Sequence, residues 1–179
     1  MNKKQVRAHA RFALDRGIPR TEVFAHLRGR GLKDDRLAYF VASHVGPASR
    51  MLHAGKVKVL LALLVLLAAS GFMVGRGQGA TFGPTGRWVF AGVVALVSLL
   101  FAWGFHKHRV GAYNAYILLA IVHLPKSMDG FMADPFATSL GFVANVALLA
   151  YVWYVRHCLF PDFTFLAPRK VKGQYVFSA

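Results

Sequence analysis

Four long apolar runs occupy most of the chain after its first third. Three of them contain about 18 apolar residues or more, the length at which a helix crosses a bilayer core of roughly 30 Å. The third run, which ends at Leu124, has only about 15 and would cross by extending toward Met128 or by thinning the bilayer locally, or would instead be re-entrant. We predict an all-α integral membrane four-helix bundle within residues 56–157, with spans at about 57–74, 88–105, 110–126 and 137–155.

The distribution of charge predicts which ends of these spans face the cytosol. The chain carries 22 Lys and Arg against 7 Asp and Glu, and 13 of these cations precede residue 59. Cytosolic flanks of membrane proteins are rich in Lys and Arg. Four spans place 19 cations inside and 3 outside, whereas three spans would put the basic C-terminal tail outside. We therefore predict a multi-pass protein of the cell inner (plasma) membrane, with both termini cytosolic.

A weak internal repeat lies within the predicted N-terminal module, residues 1–50. The tripeptide at 16–18 (Arg-Gly-Ile) recurs at 30–32 as Arg-Gly-Leu, and Val23 and Leu27 recur as Leu37 and Val41. The repeated unit is a helix, a glycine that ends it at positive φ, and an apolar residue that turns the next helix back. We predict a left-handed conformation at Gly17.

The same residues suggest how the module's helices begin. Pro19 fixes the backbone just before the second helix, where Thr21 would cap the first amides. Asp34 would cap a third helix.

This pattern, over about residues 5–44, resembles a module at the N-termini of assorted bacterial membrane proteins. It is also similar to the ubiquitin-associated type of three-helix fold. The resemblance implies contact with another protein. The candidate partner-binding residues on its apolar positions are Phe24, Leu27, Leu37 and Phe40.

The strongly basic composition is also typical of nucleic-acid-binding proteins. A helix-turn-helix with Gly31 in its turn would place Arg30 where a buried residue is needed. The cations are moreover concentrated beside the apolar runs. We therefore predict a lipid bilayer and a protein as partners and disfavour nucleic acid.

Small and polar residues within the spans predict helix packing. Gly71 and Gly75 form a GxxxG pattern that allows close approach of two helices, with a homo-oligomeric contact left open. The amides of Asn114 and Asn145 would hydrogen-bond across helices. Between their ends the four runs contain no Asp, Glu, Lys or Arg, the residues that transporters and proton relays usually need at depth; Lys58 and Lys126 lie at the margins of the predicted spans.

Signals for catalysis are poor. Four potential metal ligands, His106, His108, His157 and Cys158, would meet at the cytosolic interface of a four-span bundle. Their spacing is loose, and histidines that flank cations at a membrane surface explain them more simply. The sequence contains no HExxH and no Gly-x-Ser-x-Gly motif. We predict no catalytic residues, no bound metal and no cofactor.

The tail at 158–179 is rich in aromatic residues and prolines. It would pack under the module, lie on the bilayer or remain loosely ordered, and residues 171–175 would form a short turn between extended segments. We predict a non-catalytic membrane protein that acts through protein contact in an assembly, regulatory or immunity-type role. The alternatives are a small transporter or channel, with a wet path along Ser70, Ser98, Asn114 and Asn145, and a membrane enzyme with an interfacial His/Cys metal site.

Overall fold

The computed structural model describes residues 2–129 and 131–178, and most residues in this part of the chain are helical. The all-α class is therefore confirmed. The helices are α1 (Lys3–Asp15), α2 (Arg20–Leu27), α3 (Asp34–Ser43), α4 (Pro47–Gln78), α5 (Gly83–His106), α6 (Val110–His123) and α7 (Pro135–Leu159). Short 3₁₀ helices cover Gly79–Phe82 and Pro125–Met128, and two short strands, β1 (Lys170–Val171) and β2 (Gln174–Tyr175), form a hairpin.

The described chain divides into two compact units. The first, which we call the terminal unit, joins the N-terminal residues up to His53 with the C-terminal residues from Tyr154 onward. The second, the helical unit, runs from Ala54 to Trp153. The sequence predicted the module and the tail as separate segments, whereas the structure groups them.

In the terminal unit, the predicted repeat forms the core of a three-helix module. Val23 and Leu27 in α2 are 3% exposed, and their counterparts Leu37 and Val41 in α3 are fully buried. Gly17 adopts φ +79°, which confirms the predicted left-handed turn after α1. The repeat is therefore a packing repeat, in which each copy delivers two apolar side chains to one core.

The predicted N-caps of α2 and α3 are wrong. Pro19 and Lys33 occupy the cap positions, so Thr21 and Asp34 already lie within the helices. Pro19, whose φ is −53°, presets the backbone one residue earlier than expected. The Asp34 carboxylate instead accepts a hydrogen bond from Nε of Arg28 at 2.7 Å.

The C-terminal tail belongs to the same unit. Its hairpin pairs Lys170 with Tyr175 and Val171 with Gln174, as the predicted turn at 171–175 requires. Lys172 and Gly173 both have positive φ, the backbone of a tight hairpin turn.

In the helical unit, α4 and α5 form an antiparallel hairpin. A Cβ on Gly71 would lie 3.1 Å from Cγ1 of Val94, and a Cβ on Gly75 would lie 3.0 Å from the Cα of Ala91. Both glycines therefore allow close approach of the two helices. The chain reverses between them at Gly83, where φ is +81°.

Each of the four apolar runs lies within one helix. Two helical stretches, Pro47–His106 and Pro135–Leu159, are long and apolar enough to cross a membrane, and the first contains the α4–α5 hairpin. Helix α6, with 14 residues, is about 21 Å long, and the chain continues after Pro125 as a 3₁₀ helix. The third predicted span therefore ends at His123 as an α-helix.

Candidate functional site

A buried ion pair joins the two ends of the chain in the terminal unit. The Arg20 guanidinium pairs with the carboxylate of Asp162, whose side chain is only 4% exposed. Arg20 also donates a hydrogen bond to the carbonyl oxygen of His44 at 2.9 Å. The second carboxylate oxygen of Asp162 accepts a hydrogen bond from the backbone N–H of Ser178 at 2.7 Å. This cluster links α2, the end of α3 and two points of the tail.

Aromatic side chains extend the attachment of the tail along α2 and α3. The ring of Phe24 lies 5.5 Å from Tyr175 and 5.4 Å from Phe177, and Tyr39 lies edge-on to Phe163 at 5.3 Å. Such offset aromatic pairs stabilise beyond the area that they bury. The tail therefore covers one side of the module.

Asp35 completes this attachment at the surface. Its carboxylate accepts a hydrogen bond from the hydroxyl of Tyr175 and one from Nζ of Lys170 at 3.4 Å. The hydrogen bond from Tyr175, followed by that from Lys170, lowers the pKa of Asp35. The hairpin therefore favours the charged form of this carboxylate.

The four predicted partner-binding residues do not form one open surface. Leu27 and Leu37 belong to the core, with 3% and 0% exposure. Phe24 and Phe40 are half-buried, and Phe24 lies against the tail. An apolar helical position alone does not reveal which side chains a distant segment of the chain will cover.

An open apolar groove lies elsewhere on the terminal unit, between α1 and α2. It encloses about 540 Å³ and is lined by His9, Ala13, Ile18, Glu22 and His26, with Leu27 at its base. Ile18 is 40% exposed, whereas its repeat counterpart Leu32 is 6% exposed. The repeat matches Ile18 with the buried Leu32 and so predicts a core position for it, whereas the side chain lies at the surface.

The terminal unit around this groove is basic overall, whereas the lining of the groove itself includes the acidic residue Glu22. The terminal unit carries 15 Lys and Arg against 5 Asp and Glu. Phe12, adjacent in sequence to the lining residue Ala13, is 56% exposed, and the guanidinium of Arg16 lies 4.1 Å above its ring. The groove therefore combines exposed apolar side chains with nearby positive charge.

A second cavity lies within the helical unit and encloses about 380 Å³. Side chains from all four of its helices line it, and they are mostly apolar. The polar lining residues are Ser98 in α5, Tyr116 and His123 in α6, Lys126 and Ser127 in the following 3₁₀ helix, and Asn145 in α7.

This cavity brings together two of the four residues of the predicted wet path. Ser98 and Asn145 both line it. Asn114 is not among its lining residues and is 5% exposed, and Ser70 donates its hydroxyl to the carbonyl oxygen of Leu67 at 3.1 Å. Tyr116, His123 and Lys126 were not predicted at this site, because their convergence depends on how the helices are arranged.

The potential metal ligands are divided between the units. His106 and His108 follow α5 in the helical unit, whereas His157 and Cys158 belong to the terminal unit. Within residues 2–129 and 131–178, no group of three or more His, Cys, Asp and Glu side chains is arranged to hold a metal ion.

The chain was compared with protein-family models, with curated proteins and with solved structures, and none of the three comparisons found a match.

Proposed function

We propose that the protein is a multi-pass integral membrane protein whose terminal unit binds a protein partner. Exposed apolar side chains on the long helices support the membrane placement. The most apolar 18-residue segment of α7 has only 6% of its length buried within the chain. The corresponding segment of the Pro47–His106 stretch is 22% buried. Contiguous apolar surface of this extent is rare on soluble monomers and normal in lipid. The excess of Lys and Arg on the terminal unit supports a cytosolic position.

The observation that carries the docking role is the groove between α1 and α2. Ile18 and Phe12 offer apolar contact area that the tail leaves uncovered, and the unit around them has a threefold excess of cations over acids. An amphipathic helix with an acidic flank matches both features, because its apolar face fills the groove while its carboxylates meet the cations. The role is non-catalytic: it recruits or restrains another protein at the membrane in an assembly, regulatory or immunity-type function.

Site-directed photocrosslinking in native membranes tests this role. A photoreactive phenylalanine analogue at Ile18 should capture a discrete partner through a segment rich in Asp and Glu. Ile18→Glu, with a crosslinker at position 12, should reduce capture at least tenfold, because it buries a carboxylate in the groove and repels acidic side chains.

Val176→Glu is the matched control. Val176 is 41% exposed in the same unit and does not line the groove, so its replacement should leave capture unchanged. Equal loss in both variants, or capture through a basic segment, would contradict docking at this groove.

A small transporter or channel is the second candidate, and the cavity of the helical unit favours it. Ser98 and Asn145 place a hydroxyl and an amide along a space between the helices. Solute flux into vesicles reconstituted with the protein should then fall when Asn145→Leu removes the amide. Flux unchanged by this substitution would exclude that path.

A further inference from the structure

The cavity of the helical unit has two separate polar zones. In the first, which we call the halfway zone, Tyr116 and Asn145 lie about halfway along α6 and α7, and Ser98 lies about two-thirds of the way along α5. His123, Lys126 and Ser127 lie at one end, where α6 passes into the 3₁₀ helix. Tyr116 precedes His123 by seven residues of α6 and precedes Lys126, in the 3₁₀ helix, by ten, which corresponds to roughly 10–15 Å at helical rises. Apolar side chains, among them Leu67, Val97 and Leu119, line the same cavity.

The halfway zone has unused hydrogen-bonding capacity. Within the described part of the chain, the hydroxyls of Ser98 and Tyr116 and the amide of Asn145 make no hydrogen bond. Polar groups in an apolar environment are costly without partners, so an occupant with its own polar atom at this depth would be favoured. The amide both donates and accepts, as does each hydroxyl, so a hydroxyl or carbonyl group on the occupant would be satisfied.

The end zone favours negative charge. The Lys126 ammonium forms no ion pair with any carboxylate of the described residues, and His123 lines the same cavity. An anionic group held at this end would gain a charge-assisted hydrogen bond from Lys126. The volume of about 380 Å³ falls within the range of roughly 300–1,000 Å³ typical of small-molecule sites.

We propose that this cavity binds a long-chain aliphatic anion that carries a hydroxyl or carbonyl group about 10–15 Å along its chain from the anionic end, a spacing estimated from the helical rise between Tyr116 and residues 123–126. The carboxylate lies at Lys126 and His123, the chain passes between α5, α6 and α7, and its polar group meets Asn145, Ser98 and Tyr116. This inference rests on the membrane placement of the helical unit and is independent of the docking groove.

Three related probes separate the two zones. Native mass spectrometry of the full-length protein, released from detergent micelles, would measure adducts with 12-hydroxyoctadecanoate, with octadecanoate and with the methyl ester of 12-hydroxyoctadecanoate. The hydroxy acid should form a single adduct that saturates at one per chain. Octadecanoate lacks the hydroxyl and the methyl ester lacks the charge, and each should bind at least tenfold more weakly.

Substitutions then test which residues produce the preference for the hydroxyl group and which produce the preference for the carboxylate. Asn145→Leu should reduce the preference for the hydroxy acid over octadecanoate to below twofold and leave octadecanoate binding unchanged. Lys126→Ala should reduce the preference for the acid over its methyl ester. Arg87→Ala, which removes an exposed cation outside the lining, should change neither preference.

Filling the cavity tests the location directly. Ala120 lines the cavity, whereas Ala115, one and a half turns away on the same helix, is exposed and does not line it. Ala120→Phe should abolish the saturable adduct and Ala115→Phe should retain it. Several unsaturable adducts, or a hydroxyl preference that survives both Ala120→Phe and Asn145→Leu, would overturn the proposal and leave the docking role at Ile18 untouched.

Discussion

Arg20 and Asp162 are 142 positions apart in sequence, yet their side chains form the most buried ion pair among the described residues. Removing one partner would leave the other charge buried without compensation, which typically costs about 3–5 kcal/mol. We expect Arg20→Ala to release the tail from the module. Hydrogen exchange at the Ser178 amide, which is bonded to Asp162, should accelerate accordingly.

Arg28→Ala is the control for that substitution. It breaks the pair between Arg28 and Asp34, whose side chains are 66% and 36% exposed. Exposed pairs contribute about 0–1 kcal/mol, so tail exchange should hardly change. Similar effects of the two substitutions would show that the buried pair does not hold the tail.

His44 makes the stability of the terminal unit depend on pH. Burial lowers the pKa of its imidazole below the usual 6.5, and the neighbouring Asp15 carboxylate, 3.0 Å away, only partly offsets this. The folded state therefore binds this proton less readily than the unfolded state, so the contribution of neutral His44 is complete above about pH 6.5 and declines as the pH falls below it.

Amide exchange in α1 and α3, corrected for intrinsic rates, should therefore show less protection at pH 5.5 than at pH 7.5. His44→Gln should remove most of this difference, while His9→Gln, at an exposed position, should not. Greater protection at the lower pH would mean that Asp15 dominates the titration of His44.

At the scale of elements, the glycines of the α4–α5 hairpin have unequal roles. A Cβ on Gly75 would lie 3.0 Å from the backbone of Ala91, whereas a Cβ on Gly77 would meet nothing within 4 Å. Gly75→Val should destabilise the hairpin by about 1–3 kcal/mol through overpacking. Gly77→Val should change the stability by less than about 1 kcal/mol and in the stabilising direction, because valine has a higher helix propensity than glycine at an exposed helical position.

Thermal unfolding in detergent, followed by circular dichroism, compares these two variants. A lower midpoint for Gly75→Val alone is expected. Equal midpoints would show that the two helices do not approach each other at Gly75.

The helices and turns could be predicted from the sequence better than the contacts between residues that are distant in the chain. Long apolar runs and glycines that end helices involve only residues that are close in sequence. The helices and the turn at Gly17 could therefore be predicted from the local sequence pattern. Pairing of Arg20 with Asp162 depends on a chain reversal across the whole sequence and has no local signal. The same holds for the closeness of Gly104 to Ala112, where an added Cβ would lie 2.5 Å from the Ala112 Cβ, and for the cavity around Asn145.

At the scale of the whole molecule, the two units differ in which residues they expose at their surfaces. The terminal unit has buried apolar side chains and a basic surface, as expected for a domain in water. The helical unit leaves many large apolar residues exposed, including Leu66, Val122 and Phe136 at 67%, 68% and 80%. The placement that we propose, with lipid around the helical unit and both chain ends in the cytosol, would account for this contrast.

Reporter fusions test that placement most directly. With a reporter fused after residues 108, 128 or 179, the placement predicts cytosolic activity after 108 and 179 and exported activity only after 128. Exported activity after 179 would contradict the cytosolic position of the tail, and cytosolic activity at all three positions would show that the apolar helices do not cross the membrane.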